Sequence, residues 1–149
     1  MKKLFIVYVV MITAIASKAQ SAEDSVKAVI NQLFTAMKTA DGNLLLSCFA
    51  DSAILQTIIE KDGKVMVQNE NVKEFADFVS KTTSNDADER IIFDDIKIDG
   101  PLAIAWTPYQ FYWKGAFSHC GADAFQLVKI NGAWKIQYLI DTRRKTNCE

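Results

Sequence analysis

The stretch FSHCGADAF, residues 117–125, holds the chain's only histidine, His119, beside Cys120 and four residues before Asp123. Histidine titrates near pH 6.5, so His119 can donate or accept a proton at neutral pH. With Asp123 it forms the smallest set that could run proton-transfer chemistry without a cofactor. On an extended strand the two lie about 13 Å apart at roughly 3.3 Å per residue, too far for a hydrogen-bonded dyad but suited to opposite ends of one small molecule. Cys120 points to the other face from His119, so the neighbours form no His–Cys nucleophile pair. One histidine and three scattered cysteines, Cys48, Cys120 and Cys148, supply too few ligands for a metal site. No nucleotide-binding glycine loop or nucleophile elbow is present, and no cofactor is expected. Each residue also has a structural reading: His119 as a strand histidine bonded to backbone or a carboxylate, Asp123 as a partner of a loop or helix N-terminus.

The elements that must position these residues run helices first, then sheet. Val26, Val29, Ile30, Leu33, Phe34 and Met37 recur at helical spacing and predict an amphipathic helix over 25–39. A break at Asp41-Gly42 precedes a short second helix around Leu44 to Phe49, and Asp62-Gly63 marks a hairpin turn. Asn71 with Glu74 three positions on resembles a capping box opening a third helix that ends near Thr82. SNDADE, 84–89, reads as a polar connector, and from Arg90 onward the chain is nearly all strand, punctuated at Asp99-Gly100-Pro101, Lys114-Gly115 and Asn131-Gly132. The reading is α+β: three N-terminal helices over a strongly curved, mainly antiparallel sheet.

Two-residue turns at Lys114-Gly115 and Asn131-Gly132 set a register. They place Trp106 across from Asp123, Gln110 across from His119, Phe125 across from Tyr138 and Asp123 across from Ile140. One face then carries Trp106, Tyr112, His119, Asp123 and Tyr138, the candidate ligand-binding residues, with His119 and Asp123 also the catalytic candidates. The other face, with Tyr109, Phe111 and Trp113, is left for solvent or a sheet-to-sheet dimer. A single β-bulge would exchange the two faces over part of a strand. Asp141 and Arg143, in DTRRK, suggest a surface ion pair or an anion-binding rim.

The N-terminus, MKKLFIVYVVMITAIASKAQ, has two lysines, an apolar run and small residues, the layout of a secretory signal peptide over 1–20. The apolar run falls short of the roughly 20 residues a span needs, so no stable membrane anchor is expected. Removing it takes three lysines and no acid from 17 basic and 18 acidic side chains, leaving 14 against 18 and a net charge of −4 with His119 neutral. The remaining 21–149 are expected to form one domain, exported to a periplasmic or extracellular space. That mild acidity argues against a nucleic-acid partner. At most one cysteine pair can form.

The order of elements, and above all WTPYQFYWKGAFSHCGADAFQLVKINGAWKIQYLIDTRR with its HCG, G-x-W-K-I and DTRR segments, resembles the nuclear-transport-factor-2-like superfamily. The likeness is strongest to its secreted, SnoaL-like and lumazine-binding-like bacterial members. The resemblance implies a cone-shaped α+β fold with a cavity, and homodimers through the outer sheet face. It does not fix an activity, because the fold hosts enzymes, carriers and interaction modules alike. It leaves three readings: a binding domain for a small hydrophobic or aromatic molecule, a cofactor-free isomerase- or dehydratase-like enzyme using His119 and Asp123, and a dimeric interaction module.

Overall fold

The computed structural model describes residues 21–148, so the signal peptide expected over 1–20 lies outside the described residues. Helix α1, Ala22–Thr39, begins where Ser21 Oγ accepts the Asp24 amide at 3.0 Å and carries Glu23 and Asp24 in its first turn and Lys38 in its last, each at the end its charge favours. Helix α2, Gly42–Cys48, is capped by Asp41, and α3, Val72–Val79, by Asn71, whose Oδ1 accepts from Lys73 and Glu74. α3 therefore ends three residues short of Thr82.

Strands β1, Phe49–Lys61, and β2, Lys64–Glu70, form the hairpin expected at Asp62-Gly63. The run expected as one strand over 90–98 is two: β3, Ala87–Ile91, and β4, Asp95–Asp99, pair in series with β5, Leu102–Trp113. The break lies opposite Pro108. Ile92 donates to the Pro108 carbonyl at 3.0 Å, but proline has no N–H to return. β3 also begins inside the stretch read as a connector. β6, Ala116–Ile130, and β7, Ala133–Thr142, complete a sheet of order β2-β1-β7-β6-β5-β3, with β4 on β5. All pairings are antiparallel except β1 with β7.

At Lys114-Gly115 and Asn131-Gly132 both turn residues have positive φ, between 50° and 84°, matching the twist of the strands they join. Register starts as the turn arithmetic requires, then shifts by one on each hairpin. Trp113 faces Ala116 and Tyr112 faces Phe117, but Phe111 faces His119, leaving Ser118 as the extra residue. Leu127 faces Ile136, but Gln126 faces Tyr138, leaving Gln137 over. Each bulge exchanges inside and outside beyond it. The expected pairs are corrected accordingly: Asp123 lies between Thr107 and Asp141, His119 across from Phe111, Phe125 across from Leu139.

The core sits where α1 crosses the sheet. Ile30 and Leu33 are sealed with Phe125, Leu127 and Ile136, and Phe34 meets Phe125 edge-to-face at 6.3 Å. Each such side chain contributes about 1.5–3 kcal/mol by leaving water. Along the inner face of β5 the residues grow from Ala103, Ala105 and Thr107 to Tyr109, Phe111 and Trp113. The first two belong to the sealed core and the last three to the wall of a cavity.

Candidate functional site

That cavity has a volume of about 520 Å³. α1 contributes Leu33, Phe34 and Met37, α3 contributes Phe75 and Phe78, and β5 contributes Tyr109, Phe111 and Trp113. Phe78 stacks on Trp113 at 6.0 Å, although it is 53 % exposed. Polar groups come from the strands, with Glu70 of β2, Glu89 of β3, His119 and Asp123 of β6, Asp141 at the end of β7 and Arg143 just beyond it, and from α3, with Glu74.

The floor is a connected network. Thr57 Oγ1 lies 2.6 Å from Asp141 Oδ1 and accepts from Arg143 Nη2 at 2.9 Å, while Arg143 Nε donates to Asp141 Oδ2 at 2.9 Å. Arg143 Nη2 also reaches Glu70 Oε1 at 3.3 Å. The Tyr109 hydroxyl lies 2.9 Å from the Thr142 carbonyl and 3.2 Å from Asp141 Oδ2. Its ring can cross β6 there because residue 121 is glycine: a Cβ would come 2.7 Å from the Tyr109 ring and 1.7 Å from the Thr142 oxygen. The expected ion pair of Asp141 with Arg143 forms at 2.9 Å, with the carboxylate buried, 7 % exposed, and the arginine side chain 43 % exposed.

Asp123 is 3 % exposed and accepts one hydrogen bond, from Thr107 to Oδ2 at 3.0 Å. Burial lifts its pKa to about 8, against the Thr107 bond and with the help of Asp141. Glu89 is held well above the ordinary carboxyl range, by burial first and by Asp123 and Asp141 after it. Asp123 is therefore mainly protonated at neutral pH. Burial likewise raises Tyr109. His119 moves the other way: burial and then Arg143 lower its pKa, and its Nδ1 sits 3.0 Å from Ser118 Oγ. Its ring packs against Phe111 at 5.0 Å and Tyr109 at 5.8 Å.

His119 and Asp123 thus line one cavity. Trp106, Tyr112 and Tyr138, expected on the same face, lie outside its lining because the two bulges turn them away. Trp106 is 45 % exposed, Tyr112 packs on Phe117 and under the Arg90 guanidinium, and the Tyr138 hydroxyl donates to Gln56 at 2.7 Å. In their place stand Tyr109, Phe111 and Trp113, which the regular register had turned outward. Glu89 was hidden in SNDADE. The signal that could have found these residues is the alternation along β5, where every second residue from Ala103 is small or aromatic and Glu89 pairs with Phe111.

Cys120 is bonded to Cys148, with Cα atoms 5.8 Å apart, and Cys48 is free and buried. Cys120 also exchanges two backbone hydrogen bonds of 2.9 Å with Arg144, tying the C-terminal segment to β6. Among the described residues no group of three or more His, Cys, Asp or Glu is placed to hold a metal ion.

This architecture recurs in known proteins. The family described as putative lumazine-binding matches residues 21–138. The chain belongs to that family. It shares its fold with nuclear-transport-factor-2-like proteins. One from Shewanella baltica, of unknown function, is 16 % identical with a TM-score of 0.64, over 83 % of this chain and 94 % of its own. Another from Methylobacillus flagellatus, also of unknown function, is 21 % identical with a TM-score of 0.63 over the same shares. A Nostoc punctiforme domain of unknown function with a cystatin-like fold is 20 % identical with a TM-score of 0.64, over 84 % of this chain and 78 % of its own. At these identities the likeness shows the fold alone. No curated protein matches the chain in sequence. The family match stops before Asp141 and Arg143, an ion pair of the cavity lining.

Proposed function

We propose that the chain is an exported protein that holds a small hydrophobic or aromatic molecule inside the cone. The observation that carries this reading is the cavity, about 520 Å³ with aromatic walls and a buried carboxyl group, Asp123, in its polar floor. Small-molecule sites commonly enclose roughly 300–1,000 Å³ and combine apolar walls with a few fixed polar groups. The family's description as putative lumazine-binding is consistent with a planar heteroaromatic ligand. Export draws support from the Cys120–Cys148 disulfide, since such bonds persist in oxidising compartments. The test is native mass spectrometry of the protein from its own host, followed by release of whatever it retains. A stoichiometric small molecule supports the reading; an empty protein whose melting temperature no aromatic compound shifts would remove it.

A second reading, a cofactor-free isomerase- or dehydratase-like enzyme, is favoured by His119 and Asp123 lining one cavity. His119→Ala should then abolish turnover of the identified ligand while leaving thermal stability close to wild type. Unchanged turnover would remove the histidine from the chemistry.

A further inference from the structure

The charge available to a ligand inside the cone is one-sided. Arg143, the arginine of the lining, has its guanidinium engaged by Asp141, Thr57 and Glu70. His119 is held toward its neutral form by burial and by Arg143. Acids outnumber Arg143 in the lining: Glu70, Glu74, Glu89, Asp123 and Asp141 against one arginine. Asp123 Oδ1 accepts no hydrogen bond although the residue is 3 % exposed and part of the cavity wall. Glu89 faces the same space with no hydrogen bond or ion pair among the described residues. Glu70, paired with Arg143, and Glu74 also line the cavity. The rings of Phe111 and Trp113 line the same cavity.

We infer that the molecule held in the cone carries a protonated nitrogen, an ammonium or amidinium group set against Asp123 and Glu89, on an apolar or aromatic body lying along Phe111 and Trp113. The inference rests on the ligand-binding reading and narrows it to a cationic class. An anionic ligand would meet several carboxyl groups around a single arginine whose Nε and Nη2 already serve Asp141, Thr57 and Glu70. A neutral ligand would leave Asp123 as an uncharged acid and forgo the attraction. A cation recovers it from the buried Asp123 carboxylate, with aromatic rings lining the same space. Because Asp123, lifted to about 8, is mainly protonated in the empty cavity near neutral pH, seating the cation ionises it and sends its proton to the buffer. Tyr109, pushed upward by burial, stays neutral, and Asp141 stays paired with Arg143.

The experiment is isothermal titration calorimetry of the purified protein with tryptamine and with tryptophol, its neutral isostere, in two buffers of different ionisation enthalpy. Tryptamine should bind at least about tenfold more tightly, a difference of about 1.4 kcal/mol. Its affinity should rise between about pH 6 and about pH 8, with net proton release. Asp123→Asn should weaken tryptamine about tenfold and leave tryptophol within about twofold, while proton release by the unmodified protein tests the idea independently of that variant's folding. Tighter binding of tryptophol, or tryptamine affinity that is flat or falling with pH, overturns the cationic class but leaves the binding reading standing. Failure of both compounds to bind at millimolar concentration also overturns it, and the retained-ligand measurement then judges the binding reading separately.

Discussion

Asp123 is an acid whose surroundings disfavour its charge, and this has a measurable sign. Its pKa of about 8 in the folded chain stands above the ordinary value of 3.8, so the folded state binds the proton more tightly than the unfolded state does. Stability from this group is full below about pH 4 and declines as pH rises through about 8; Glu89 acts in the same direction. Asp123→Asn keeps an oxygen for the Thr107 hydroxyl and should flatten that decline. Thermal midpoints measured from pH 5 to pH 9 check it, and an unmodified protein that gains stability across the range would contradict the buried-acid account. Gly121 offers a second test. A methyl group there collides with the Tyr109 ring and the Thr142 carbonyl, so Gly121→Ala should cost about 1–3 kcal/mol in denaturant unfolding. An unaffected midpoint would mean that the Tyr109 ring does not cross β6 at that point.

Among the elements, those fixed by local chemistry were legible. Helix α1 follows from its apolar spacing, α3 from the Asn71 cap, and the hairpins from Asp62-Gly63, Lys114-Gly115 and Asn131-Gly132. The candidate site was legible only in part, since its two central residues share a strand while the rest depend on register. Ser118 and Gln137 carry no sequence mark of a bulge, yet each exchanges the two faces of the strand beyond it. That is why Trp106, Tyr112 and Tyr138 were expected inside and Tyr109, Phe111 and Trp113 outside. The disulfide could not be assigned from spacing, because Cys120 and Cys148 meet only once the C-terminal segment pairs with β6. It closes a separation of 28 residues, which corresponds to about 3.5 kcal/mol of unfolded-state entropy. The double variant Cys120→Ser, Cys148→Ser should lose stability of that order in urea, and no change would mean that the segment is held by its backbone bonds alone.

Taken whole, the molecule keeps one sheet face for the cavity and leaves the other with Leu102, Ile104 and Trp106 each more than 40 % exposed. We propose that this outer face pairs two copies of the chain, in place of the Tyr109, Phe111 and Trp113 face that a regular register would turn outward. Sedimentation at micromolar concentration should then give a dimer, and Trp106→Asp a monomer with ligand affinity unchanged; an unmodified monomer would exclude the pairing. The parallel pairing of β1 with β7 bears on how the chain reaches this state. Thr57 and Asp141, hydrogen-bonded on the floor, are 84 residues apart, and they meet only when β7 pairs with β1. Contacts this distant in sequence form slowly, because the chain between them must be ordered first. A chain emerging from its N-terminus cannot complete the floor until β7 is available, so refolding should be slow and the cavity should appear last. A ligand that binds only the finished floor would act as a late clamp on folding, reporting and rewarding closure of the sheet.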